Sequence, residues 1–200
     1  MRQIGLAMQM YTTDFNDVLP PAYPPSYAPA YSMALQPYAR STRVWSMWRC
    51  PVDVKRHSGC SAYYTRSYAI NIRISYTYGG NNNQTSYVKQ KMIEDPSGTI
   101  LVAERPNVVN CIDGISNSDI ACPSAGNGPD TPCKPDSWGR DQANALDSDT
   151  PAVFYARPWH LDGFNYLFCD GHVEWLPPRK TVGNGTLGAP KGMWTPVKGD

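Results

Sequence analysis

The stretch Trp159-His160-Leu161-Asp162-Gly163-Phe164-Asn165-Tyr166-Leu167-Phe168-Cys169-Asp170-Gly171-His172-Val173-Glu174-Trp175-Leu176 reads as two strands about a tight turn. Asp-Gly between two apolar runs is a strong short-range hairpin signal, because both residues tolerate the positive φ that a type I′ turn demands. A two-residue turn pairs Cys169 with His172, Phe168 with Val173, Leu167 with Glu174 and Tyr166 with Trp175. It puts Phe168, Val173, Tyr166 and Trp175 on one face, read as core, and Cys169, His172, Leu167 and Glu174 on a mixed face. Pro177-Pro178 ends the second strand.

Working outward, Ser67–Tyr78 alternates cleanly: Tyr68, Ile70, Ile72, Ile74, Tyr76 and Tyr78 against Ser67, Ala69, Asn71, Arg73, Ser75 and Thr77. That pattern predicts a single half-buried antiparallel strand. Thr99–Ala103 (TILVA) predicts a short buried strand behind the turn Asp95-Pro96-Ser97-Gly98. At the start of the chain, Ile4, Ala7/Met8, Tyr11, Phe15 and Val18/Leu19 recur at helical period. They predict an amphipathic helix over 1–19, stopped at Pro20-Pro21. The helix begins abruptly at Met1, and we expect a natural precursor to extend upstream.

The remaining segments are loop-like. PPAYPPSYAPAYSMALQP (20–37) predicts extended, polyproline-like backbone draped over the domain, with Tyr23, Tyr27 and Tyr31 as anchors. Residues 106–151 hold Cys111, Cys122 and Cys133 at equal spacing with little apolar periodicity, as a long surface loop does. In 200 residues the chain carries 16 Gly, 19 Pro, 13 Tyr and 6 Trp. Gly and Pro exceed their usual combined share of about 12%. This composition favours strands and loops around an aromatic core over long helices or disorder. The net charge of +1 argues against nucleic acid as the main partner, since phosphate binding needs a concentrated basic surface. No apolar run reaches the roughly 18 residues of a membrane span. Six cysteines (Cys50, Cys60, Cys111, Cys122, Cys133 and Cys169) without a C-x-x-C pair suggest disulfides and an oxidising compartment, with free buried thiols as the alternative.

His160, nine residues, then Asp170-Gly171 resembles the H-x(9)-D-G signature of a large bacterial family of prepilin-like proteins related to type II secretion pseudopilins. RQIGLAMQMYTTDFNDVLPP, Trp48-Arg49-Cys50-Pro51 with Asp53, Asp95-Pro96-Ser97 leading into TILVAE, and the ending MWTPVKGD are similar to the family's segments, in its order. The resemblance implies one α+β domain over 1–200, pilin-like, with an amphipathic helix packed on an antiparallel sheet and long loop insertions. It implies a non-enzymatic extracellular or cell-surface subunit whose partner is itself, in a filament or pseudopilus. The cleavage motif and apolar half-helix of the family are absent here: either the chain is truncated, with any membrane attachment through an upstream segment, or it is a variant that needs no membrane-anchored helix. The helix, the Pro/Tyr segment and the tail Gly183–Asp200, with exposed Trp and Tyr as anchors, are the expected contact patches.

The signature residues His160, Asp170 and Gly171 are open to three readings: a structural hydrogen bond between His160 and Asp170 fixing the approach to the hairpin, a metal site, or a catalytic pair. The structural reading asks least. His172, Asp162 and Cys169 enrich the metal case, although their spacing fits no standard zinc pattern. Asp113, Asn117 and Asp119 stand in a run with oxygen ligands at alternate positions, as in calcium loops, but without the bidentate Glu of an EF-hand. The alternative there is a polar turn. A calcium- or glycan-binding surface domain that does not polymerise is therefore the second function to weigh. Asn83 and Asn184 fit the N-x-S/T glycan acceptor pattern. No G-x-S-x-G, H-E-x-x-H or phosphate-binding glycine loop is present.

Overall fold

The computed structural model describes residues 1–21, 31–39, 47–52, 66–71, 73–75, 77–78, 85–86, 88–104, 119–120, 160–161, 163–185 and 191–199. These residues build an α+β arrangement in which an N-terminal helix, α1 (Arg2–Asp14), lies against a five-stranded sheet. A single helical turn, α2 (Tyr31–Ala34), follows. In chain order the strands are β1 (Tyr68–Asn71), β2 (Thr77–Tyr78), β3 (Thr85–Ser86), β4 (Ile100–Glu104), β5 (Asp119–Ile120), β6 (Phe164–Phe168) and β7 (Val173–Leu176). The main sheet runs β5-β1-β4-β6-β7, with β5 parallel to β1 and every other pair antiparallel. β2 and β3 pair separately. No described helix is long and apolar enough to cross a membrane.

The helix buries the stripe its period assigns: Ile4, Ala7, Met8 and Tyr11. They meet Tyr68, Ile70, Leu101, Val102, Leu167 and Cys169 in one apolar cluster. A bulge between Ile100 and Val102 lets consecutive Leu101 and Val102 both join that cluster, while Ile100 and Ala103 join the other. On the opposite face Ala69, Phe164, Tyr166, Phe168, Leu176 and Trp194 pack together. With both faces covered, β1 and β4 are buried at every position.

Several expectations are corrected. The helix ends at Asp14 rather than Leu19. Asn16 and Asp17 take positive φ (53° and 71°), a conformation that Asn and Asp tolerate better than most residues. The Asp17 N–H then returns to the Thr12 carbonyl (2.8 Å), and Leu19 N–H reaches the Val88 carbonyl (3.2 Å). The strand expected over 67–78 is broken after Asn71. There the buried Asn71 side chain donates to the carbonyls of Ile100 (2.8 Å) and Trp194 (3.2 Å) and accepts the Arg73 N–H (3.1 Å). This local side-chain turn competes with the ladder, and Ser75 N–H closes back on the Asn71 carbonyl.

The hairpin register is one residue from expectation. Leu167 faces Val173, Tyr166 faces Glu174 and Asn165 faces Trp175. The connection has three residues: Gly171 N–H returns to the Phe168 carbonyl, Phe168 N–H meets the His172 carbonyl (both 3.0 Å), and Gly171 sits at φ 94°. This is a type I turn closed by a glycine bulge. Neighbours select it, because Cys169 N–H bonds the Thr99 carbonyl and Asp170 N–H the Pro96 carbonyl. The new register stacks Phe168 on His172 (4.3 Å between ring centres) and removes Trp175, 44% exposed, from the core.

Around the edges, Tyr31 anchors as expected: it is fully buried, and its hydroxyl donates to the Tyr68 carbonyl (2.7 Å). It does so from a helical turn rather than extended backbone, and Tyr23 and Tyr27 lie outside the described residues. Within the loop expected over 106–151, Asp119–Ile120 forms the sheet's parallel edge, and the rest is outside the described residues. Trp194, expected as a surface anchor of the tail, is instead fully buried, its indole N–H on Thr181 (2.8 Å) and its ring edge-on to Tyr166.

Candidate metal centre

Three segments far apart in sequence meet at one end of the sheet. Ser67, just before β1, draws in the Trp48–Pro51 stretch: its N–H bonds the Trp48 carbonyl (2.7 Å) and its hydroxyl accepts the Cys50 N–H (2.9 Å). Trp48 is buried edge-on against Tyr31. Glu104 closes β4 opposite Tyr68. His160 opens the tight turn before β6, where Gly163 N–H returns to its carbonyl (3.2 Å).

The side chains converge. His160 Nε2 lies 3.0 Å from Glu104 Oε1 and 3.4 Å from Cys50 Sγ, and the three donor atoms all lie within 4.8 Å of one another. Cys50 and Glu104 are buried, while His160 is partly exposed. Burying a carboxylate is costly unless it is hydrogen-bonded. Glu104 Oε2 accepts the Asn165 N–H (2.8 Å) and Oε1 the Asn165 side-chain amide (3.2 Å). Burial, with the Glu104 carboxylate adding to it, pushes the Cys50 thiol up, against hydrogen bonds from Val52 and Tyr68. A cavity of about 260 Å³ opens beside the cluster, with Met1, Arg2, Tyr68 and Val173 among its walls.

The turn carrying His160 is held from outside. Trp175 Nε1–H donates to the His160 carbonyl (2.6 Å), and its ring lies where a side chain at Gly163 would stand, 2.4 Å from a Cβ there. Leu161, 91% exposed, sits at φ 49°, a left-handed conformation that a branched side chain adopts only under constraint.

The arrangement narrows the chemistry. Cys50 and Glu104 face the same imidazole nitrogen. In a nucleophile–histidine–acid relay the nucleophile and the acid occupy opposite ring nitrogens. Convergence of S, N and O donors on one point is instead what a metal ion requires. Calcium takes oxygen ligands, so this donor set suits a softer ion.

The sequence-derived candidates distribute as follows. His160 and Asp170 do not bond each other: His160 engages Glu104 and Cys50 before β6, and Asp170 engages His172 after it. Asp170 Oδ1 accepts the His172 N–H (3.0 Å) and lies 2.6 Å from His172 Nδ1. Burial opposes it, but the His172 backbone and ring hold the Asp170 carboxyl below its ordinary range. Gly171 makes the turn. Cys50 and Cys169 are buried free thiols rather than disulfide partners, and burial, then the adjacent Asp170 charge, pushes Cys169 up. Asp119 lies in β5 and Asn184 on the surface. Asp113, Asn117, Asn83, Asp162, Cys60, Cys111, Cys122 and Cys133 lie outside the described residues. Sequence reasoning missed Glu104, Tyr68 and Asn165. The available signal was a carboxylate directly after the apolar run Ile100–Ala103, where a charge has to find a partner. Comparisons of this chain with protein-family models, with curated proteins and with solved structures find no match.

Proposed function

We propose that the chain is a pilin-like, non-enzymatic structural subunit that assembles with copies of itself into an extracellular filament or pseudopilus. The observation that carries this reading is the helix α1. One side packs on the sheet through Ile4, Ala7, Met8 and Tyr11, while Leu6 and Met10, one turn apart, are 62% and 43% exposed. An apolar pair four residues apart on the helix side turned from the core is a contact that a second subunit can bury. Where such a patch meets a different, complementary patch on the next copy and the rotation between copies does not close, the contact repeats into an open polymer. The resemblance of the His160–Gly171 segment to the prepilin-like signature supports the same reading, with Asp170-Gly171 acting as a structural turn. Gln9 of the helix reaches the Asp170 carbonyl (3.3 Å).

The test is sedimentation velocity over a wide concentration range, with electron microscopy of the most concentrated sample. The expected result is concentration-dependent growth to elongated species that a Leu6→Ser/Met10→Ser double variant loses while keeping its melting temperature. A parent chain that stays monomeric throughout would contradict the reading.

A further inference from the structure

We infer that Cys50, Glu104 and His160 form a binding site for a zinc-class divalent cation, through Cys50 Sγ, a Glu104 carboxylate oxygen and His160 Nε2. Zinc binds thiolate at about 2.3 Å and imidazole or carboxylate at about 2.0–2.1 Å in a tetrahedron, which spaces its donors roughly 3.3–3.6 Å apart. The Sγ–Nε2 separation of 3.4 Å already has that value. The Nε2–Oε1 hydrogen bond of 3.0 Å needs to open by only a few tenths of an ångström. Sulfur, nitrogen and oxygen donors together favour zinc or a similar d-block ion over calcium or magnesium.

The support around the donors matches what metal ligands need. Asn165 fixes both oxygens of Glu104, Ser67 fixes the backbone of Cys50, and Trp175 fixes the backbone of His160. Such outer contacts orient ligands before the ion arrives. Three protein donors leave one tetrahedral position, which faces the cavity beside Met1, Arg2 and Val173 and would take water or a small anion. Binding takes Cys50 as its thiolate, releasing the thiol proton to solvent, and takes His160 as neutral imidazole with its proton on Nδ1. This inference stands apart from the self-assembly reading, since it concerns one end of the sheet and needs no second copy.

The experiment titrates the full chain, reduced and stripped with chelator, with cobalt(II) as a spectroscopic stand-in and then with zinc. The expected result is one equivalent of cobalt giving a thiolate-to-metal charge-transfer absorption and the intense visible bands of four-coordinate cobalt, both abolished by stoichiometric zinc. Cys50→Ser removes the charge-transfer band, and His160→Gln, on a partly exposed residue, lowers affinity by more than tenfold. Asn165→Ala weakens binding about tenfold through the Glu104 carboxylate, and Cys169→Ser leaves the spectrum unchanged. Zinc raises the melting temperature of the parent chain and not of Cys50→Ser or His160→Gln, each shown to be folded by circular dichroism. Absence of a thiolate band, or a band that survives in both Cys50→Ser and His160→Gln, would overturn the site.

Discussion

The imidazole of His160 stands 3.0 Å from the carboxylate of Glu104, across a sequence separation of 56 residues, and both belong to a cluster completed by Cys50. The contact joins the end of β4 to the turn that launches β6, so the centre and the sheet stabilise each other.

Glu104 is the least replaceable member of that cluster for stability. Its carboxylate is 1% exposed and accepts the Asn165 N–H and side-chain amide as well as facing His160. Glu104→Ala strands those donors, and a buried donor left unsatisfied costs about 1–3 kcal/mol. We expect Glu104→Ala to lose about 2–3 kcal/mol in urea unfolding at neutral pH. Glu104→Gln, which keeps an acceptor for Asn165, should lose about half as much.

Two glycines in the hairpin region are required for different reasons, and their alanine variants separate them. Gly171 sits at φ 94°, and a Cβ there would stand 2.8 Å from the Gln9 side-chain amide, a flexible end that can shift. Gly171→Ala should therefore cost about 1–2 kcal/mol, mainly from backbone strain. Gly163 is limited by space, with the Trp175 ring 2.4 Å from where its Cβ would stand. Gly163→Ala should cost about 1–3 kcal/mol through overpacking. It should also alter tryptophan fluorescence, which Gly171→Ala leaves alone.

Leu161 gives a stabilising substitution beside the centre. Its side chain is 91% exposed while its backbone is left-handed, so little packing is lost on replacement. Asn tolerates that conformation through local hydrogen bonding. We expect Leu161→Asn to raise stability by about 0.5–1 kcal/mol, measured as an upward shift in the denaturation midpoint with unchanged slope.

Acid should weaken the fold through two turn carboxylates. The Ser97 hydroxyl and Gly98 N–H hold Asp95 below its ordinary range. At Asp170 burial acts upward, but His172 prevails and the carboxyl is also lowered. A folded-state value below the unfolded one means that the unfolded chain binds protons first. Their stabilisation is therefore complete above the unfolded value of about 3.9 and drains as pH falls through the lowered folded values. Melting temperatures across that range should fall more shallowly in Asp95→Asn/Asp170→Asn than in the parent chain.

Local pattern was readable where one face decided the outcome. Ile4, Ala7, Met8 and Tyr11 repeat at helical spacing and are buried together, and the apolar run before Glu104 is a buried strand. The hairpin was legible in kind but not in register. Asp-Gly suits either a two-residue turn or a three-residue one, and the choice rests on backbone bonds from Cys169 and Asp170 to Thr99 and Pro96. The break after Asn71 was hidden for the same reason: alternation continues past it, while its side chain is captured by carbonyls of distant segments. The centre left the faintest trace, because positions 50, 104 and 160 share no spacing and come together only through the sheet.

The most direct measurement of the central claim, that these three residues present S, N and O donors to one ion, is X-ray absorption spectroscopy of the zinc-loaded full chain. The account predicts one sulfur at about 2.3 Å with nitrogen and oxygen neighbours at about 2.0–2.1 Å, and loss of the sulfur shell in Cys50→Ser. A zinc shell made only of nitrogen and oxygen, or a sulfur shell retained in Cys50→Ser, would contradict it.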